Sequence, residues 1–110
     1  MPFLIIEYTE DLYVHKRMKS NLESSLTVLE KILPKFKELS PWTFKNIEKC
    51  CMDLISEMGV KNGVVLWPVR IGLSGRKSTP GGAFEIADII GKEESIRRTE
   101  IGIEKLKKAQ

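Results

Sequence analysis

From residue 22 to residue 39 the apolar side chains fall at Leu22, Leu26, Leu29, Ile32, Leu33, Phe36 and Leu39, in steps of three and four. That spacing gathers them into one stripe of a helix, which must then be buried against another element. Phe44, Ile47, Cys51, Leu54, Ile55 and Met58 repeat the pattern. A third run, residues 92–108, carries a narrower seam of Ile96, Ile103 and Leu106. Three amphipathic stripes in 110 residues imply at least three helices that must pack on other elements.

The punctuation agrees with this reading. Ser20 or Asn21 can cap the first helix, and Glu23 in its first turn suits the dipole. Pro34 lies inside the pattern and lacks a backbone donor, so a kink or break is expected near Ile32 and Leu33. Ser40, Pro41 and Thr43 announce the second helix, with the proline in its first turn, and Gly59 closes it. Ala83, Phe84, Ala87 and Ile90 read as a short helix ended by Gly91. The last helix has Glu93 and Arg97, Glu94 and Arg98, and Glu104 and Lys108 at i,i+4. Residues 64–73, VVLWPVRIGL, stay open. Their Val, Ile and Trp favour a strand after an Asn62-Gly63 turn, whereas Pro68 is ill placed in a strand and can open a short helix.

The composition, 42% hydrophobic and 30% charged, supports a core and argues against a membrane protein or a disordered tail. No apolar run is long enough to span a bilayer. The start lacks the basic and cleavage-site pattern of a signal peptide, so the cytosol is expected. Cys50 and Cys51 are adjacent, and bridging neighbours strains the intervening peptide. With His15 as the one histidine, no zinc set can be assembled. Cys51 falls on the apolar stripe and reads as a core hydrophobe rather than a nucleophile. Residues 3–6 form, with Tyr8, Leu12 and Tyr13, a dense apolar set without a turn before it, as though a preceding element covered them. Residues 15–19, HKRMK, read as a basic loop. No repeat or interdomain linker is evident.

Residues 1–55 carry eight basic and eight acidic side chains, so the net charge of +3 arises in the second half. Between Met58 and Phe84 stand Lys61, Arg70, Arg76 and Lys77 with no acid among them, a place for an anion to settle. Catalytic patterns are missing: there is no GxSxG, GxGxxG, Walker loop or HExxH. The loop RKSTPGG lacks the Lys-Ser/Thr ending with which a P-loop holds phosphate and magnesium. Two readings of it stay open, an ordinary connection between helices or a loop that binds single-stranded RNA. A threonine hydroxyl donates and accepts, glycine lets a base come close, a proline ring offers a flat apolar face, and arginine stacks or pairs bidentately.

At this loop the chain resembles a known family. Residues 66–98, LWPVRIGLSGRKSTPGGAFEIADIIGKEESIRR, are similar to the C-terminal signature of bacterial glutamyl-tRNA synthetases, class I aminoacyl-tRNA synthetases. The shared elements are Pro-x-Arg at 68–70, Ser74-Gly75, the Pro-Gly loop at 79–82, Phe84-Glu85 and the Ile-Gly-Lys-Glu turn at 90–93. Upstream, Glu7-Tyr8 and LYVHKRMKSN at 12–21 look like the family's segment entering this domain.

The resemblance implies an all-α anticodon-binding bundle, with residues 1–20 as entry segment, 21–59 as one helical half and 60–110 as the other. It implies a helix at 64–73 that ends at Gly75. It places anticodon recognition on Arg70, Thr79 and Pro80 and on the small residues that follow, Ala83 first and Gly82 next. Arg76 and Lys77 would meet the tRNA backbone. The implied partners are the anticodon stem-loop of glutamate tRNA and the synthetase domains upstream, for a cytoplasmic monomer without membrane association. The family's ATP-binding motifs do not occur in this chain. ATP and magnesium therefore belong to the parent's catalytic domain, and the chain is read as a non-catalytic fragment of a ligase that joins glutamate to tRNA. A stand-alone helical RNA-binding or protein-interaction domain is the alternative.

Overall fold

Asn21 opens the first helix in the computed structural model, which describes residues 8–76 and 81–109. Its side chain accepts from the Ser24 amide at 2.8 Å, and the Ser24 hydroxyl accepts from the Asn21 amide at 3.0 Å, a reciprocal cap. Helix α1 then spans Leu22–Glu38. It runs through Pro34 without a break, so of the expected kink or break the break does not occur. Pro34 is exposed, so its ring and the carbonyl it leaves unpaired face water.

Helix α2 covers Phe44–Met58 and is capped by Thr43, whose hydroxyl accepts from the Asn46 amide at 3.2 Å. Pro41 therefore lies ahead of the helix and not in its first turn. Gly59 ends α2 in the left-handed region (φ 64°), where a glycine has no Cβ to clash. Cys50 and Cys51 are both free and buried, and burial pushes both thiols up, away from thiolate chemistry.

Helix α3, Asn62–Ser74, resolves the open stretch. Val65, Trp67, Pro68, Val69, Ile71, Gly72 and Leu73 are buried because α3 packs against α1, α2, α4 and α5, while Gly63, Leu66, Arg70 and Ser74 form a half-buried stripe on one face. A helix buried over most of its circumference carries a nearly continuous apolar run, which by pattern alone resembles a buried strand. Asn62 and Gly63 are its first two residues rather than a turn before it. Helices α4, Ala83–Ile90, and α5, Lys92–Ala109, follow, with Gly91 (φ 87°) between them.

The longest interface joins α1 and α5. On α5 the buried positions are Ser95, Thr99, Gly102 and Leu106, with Arg98, while Ile96 and Ile103 are only partly buried. Small residues at that spacing let the two backbones come close. Segment 8–20 lies against α1, α3 and α5 and includes a 3-10 turn, Glu10–Tyr13. Tyr13 is fully buried and its hydroxyl meets that of Tyr8 at 2.7 Å. Trp42 donates to the Ala87 carbonyl at 2.9 Å and Lys92 to the Leu39 carbonyl at 2.8 Å, tying the α1–α2 connection to the second half. Among the described residues there is no strand, only an isolated bridge between His15 and Ser20. The apolar set at residues 3–6 lies outside the described residues.

Candidate nucleic-acid interface

Three parts of the chain meet around one cleft of about 330 Å³. Helix α3 supplies its floor with Gly63, Leu66, Trp67 and Arg70, which share one face at steps of three and four. The start of α4 contributes Gly82, Ala83 and Phe84, and the turn at 15–20 contributes Met18. The lining is mainly apolar, with the Arg70 guanidinium as its one ionised group. A flat ring bearing acceptors on its edge suits such a place: its faces meet apolar walls and its edge meets the arginine fork.

Each wall is fixed by contacts behind it. The Trp67 indole is 7% exposed and donates Nε1–H to the Leu12 carbonyl at 2.9 Å, and the His15 ring stands edge-on to it at 4.4 Å. Phe84 packs edge-to-face on Phe44 at 5.9 Å. The thioether of Met18 lies over Gly63, where an added Cβ would come within 2.7 Å of its sulfur. Gly82 caps α4 without a side chain, and nothing lies within 4 Å of where its Cβ would be. That end of the helix is open to close approach.

The end of α3 is clamped with equal care. Gly75 takes the left-handed conformation (φ 68°) and donates to the Ile71 carbonyl at 2.7 Å. The Ser74 hydroxyl donates to the Arg70 carbonyl at 2.7 Å and accepts from the Arg76 amide at 3.1 Å, joining the backbones of the two arginines. From α5, the buried Arg98 donates Nη1–H to the Leu73 carbonyl at 2.6 Å and Nε–H to Glu94 at 2.7 Å. Arg97 binds the same carboxylate at 2.6 and 2.8 Å. Arg97 first, and then Arg98, hold the Glu94 carboxyl down at about 2. This cluster fixes the direction in which the chain leaves α3 toward the glycine loop.

Of the residues singled out in the sequence, Arg70, Gly82 and Ala83 come together at the cleft. Arg76 is exposed just past the end of α3 and does not line it. Lys77, Thr79 and Pro80 lie outside the described residues. Sequence reasoning did not find Met18, Leu66, Trp67 or Phe84 as lining residues. Leu66 and Trp67 were hidden in a run whose secondary structure was open, and Met18 in a basic loop with no visible link to α3. One signal was available: residues 12–22 contain no acid, like residues 59–84.

Comparison with known proteins bears on the family and the fold. A glutamate–tRNA ligase from Clostridium kluyveri is 77% identical over 101 residues, covering 92% of this chain and 21% of that protein. One from Clostridium botulinum (strain Hall) is 57% identical over 106 residues, covering 96% of this chain and 22% of that protein. The chain thus spans about a fifth of the length of the curated relatives it matches. The fold recurs in a crystal structure of a glutamate tRNA ligase from Elizabethkingia meningosepticum, with a TM-score of 0.76 at 24% identity over 96% of this chain and 20% of that one. The model of a family described as the anticodon binding domain matches residues 2–103. A helical bundle whose cleft joins α3 to a glycine-opened α4, and whose sequence that model matches almost from end to end, belongs to the anticodon-binding domain family.

Proposed function

We propose that the chain reads the anticodon of glutamate tRNA as part of a glutamate–tRNA ligase, which joins glutamate to its tRNA at the expense of ATP in the cytoplasm. The observation that carries this reading is the convergence of Arg70 with Gly82 and Ala83 on one apolar cleft in a stretch without acids. An anticodon base unstacked into the cleft would lie against Leu66 and Trp67 and offer its edge to the Arg70 fork. Ala83 and Gly82 allow its close approach, and Thr79 and Pro80, on the loop before them, would complete the reading. Arg76 and Lys77 would meet phosphates. Within the bundle the chain acts as a monomer.

Among the described residues no three His, Cys, Asp or Glu side chains converge, and the cleft is lined mainly by apolar groups with Asn62 and Arg70. No step of the ligation is therefore derived through these residues, and activation of glutamate is assigned to the rest of the ligase.

The test is charging of anticodon-variant tRNAs by the full-length ligase carrying substitutions in this chain. Arg70→Lys replaces a planar fork by a point charge, so it should weaken charging and relax discrimination at one anticodon position by about 10- to 100-fold, the worth of ~1–3 kcal/mol for a bidentate pair. Thr79→Ala should relax discrimination as well, whereas Lys77→Ala should weaken all variants alike. Unchanged base discrimination in both Arg70→Lys and Thr79→Ala would refute the assignment.

A further inference from the structure

Seven of the chain's 18 lysines and arginines, and none of its 15 acids, lie in two stretches, residues 12–22 and 59–84. Outside them the chain is net acidic. The fold sets these two stretches on either side of the same cleft: Met18 from the first closes over Gly63 from the second. Two acid-free stretches that meet in an otherwise acidic chain are the kind of charge pattern a polyanion uses, although the Glu85 carboxylate stands close by at Gly81.

We infer that the turn at residues 15–20 is a phosphate-gripping arm, in which Lys16, Arg17 and Lys19 meet the sugar–phosphate backbone of the RNA whose base enters the cleft. The inference rests on the anticodon reading above and extends it to a surface that reading leaves unused. A nucleotide whose base fills the cleft brings its own phosphates to the rim, beside Met18 and its three cationic neighbours. All three are exposed, and none forms an ion pair among the described residues.

The arm is also built stiffly for a surface loop. His15 and Ser20 exchange backbone bonds at 2.9 and 3.0 Å, and the Lys19 amide donates to the Lys16 carbonyl at 3.1 Å. The Met18 amide donates to His15 Nδ1 at 3.2 Å, while the buried Ser20 hydroxyl reaches the Tyr13 carbonyl at 2.7 Å and the Ser25 hydroxyl at 3.0 Å. Lys19 holds φ at 58°, a conformation that glycine or asparagine would take with less strain. A lysine there, on a turn pinned to the cleft wall, leaves the backbone with little conformational freedom to lose on binding, so that the side chain alone is ordered.

The experiment measures binding of a labelled anticodon stem-loop RNA to the full 110-residue chain by fluorescence anisotropy, from low to high salt. The arm variant carries Lys16→Gln, Arg17→Gln and Lys19→Gln. A control of equal charge change carries Lys31→Gln, Lys45→Gln and Lys108→Gln, none of which lines the cleft. The arm variant should flatten the log–log dependence of affinity on salt by about 2 to 3, the share of three phosphate contacts. It should weaken the glutamate loop and its anticodon variants in the same ratio, and the control should flatten the slope far less. Lys16→Gln with Arg17→Gln, which leaves the left-handed position untouched, should give about two-thirds of the effect. A slope that is unchanged, or lowered equally by arm and control, overturns the arm. An unmodified chain that binds all anticodon variants equally overturns the anticodon reading instead, and the two slopes still judge the arm.

Discussion

At the scale of single residues, Glu94 shows how much of the site depends on groups that touch no ligand. Its carboxylate receives bonds from Arg97 and Arg98, and Arg98 in turn holds the last carbonyls of α3 beside the turn that leads to the loop. Replacing Glu94 by Gln leaves a buried guanidinium with a neutral partner and should cost about 1.5–3 kcal/mol, the worth of bonds to a charged group. The carboxyl titrates at about 2, below its ordinary range, so it favours the folded state wherever the unfolded chain would hold the proton more tightly. Its contribution is complete above the ordinary carboxylate range and fades as pH falls from about 5 toward 2. Urea denaturation at pH 7 and at pH 3 checks this. The loss of stability on acidification should be smaller in Glu94→Gln than in the unmodified chain, and equal losses would contradict the role. The sequence showed the i,i+4 spacing of Glu94 and Arg98 but gave no sign that Arg98 turns inward, because its acceptor, the Leu73 carbonyl, is 25 residues away.

At the scale of elements, two helical glycines beneath Tyr13 separate local propensity from packing. A Cβ at Gly72 would meet the Tyr13 hydroxyl at 3.5 Å and Leu29 at 3.8 Å, ordinary contact distances. Gly72→Ala should therefore be neutral or stabilise α3 by up to about 1 kcal/mol through lost chain entropy in the unfolded state. At Gly102 the same atom would stand 2.5 Å from the Tyr13 hydroxyl and 2.9 Å from Leu29. Tyr13 is fully buried and has no room to retreat, so Gly102→Ala should cost about 1–3 kcal/mol despite its better helix propensity. Thermal melts of the two variants test the contrast. Adding Tyr13→Phe, which removes the offending oxygen, should reduce the cost of Gly102→Ala, a non-additivity expected only of residues in contact. The α1–α5 interface was poorly legible for the same reason. Gly102 faces Leu29 there, and the buried face of α5 also includes Ser95 and Thr99, small or polar residues that an apolar periodicity does not count.

At the scale of the whole molecule, charge and chemistry are divided. Arg70 stands at the cleft, between two sequence stretches without acids, and among the described residues no three His, Cys, Asp or Glu side chains converge to hold a metal ion. The 110-residue chain incubated with ATP, glutamate and tRNA should therefore bind the anticodon stem-loop in a salt-dependent way and leave the tRNA uncharged. Glutamylated tRNA formed by the purified chain would overturn this division of roles. No helix among the described residues is long and apolar enough to cross a membrane.

By itself, the sequence determined the helices whose stripes face one side and water the other, α1, α2 and the body of α5, with the glycine ends at Gly59 and Gly91. Those are local properties, set by a period of 3.6 and by which residues tolerate a helix end. The structure chose Asn21 over Ser20 and put the second cap at Thr43. The sequence also marked Arg70 and the glycine loop, through an acid-free stretch and an ordered resemblance. The pattern alone left residues 64–73 open, because burial over most of the helix blurs the period that distinguishes helix from strand. The resemblance implied a helix there, and the structure has one. Only the tertiary structure brought the turn at 15–20 to the cleft and turned Arg98 inward to α3. Those contacts join residues tens of positions apart, where no local pattern reaches and only the packing of one helix on another sets the distance.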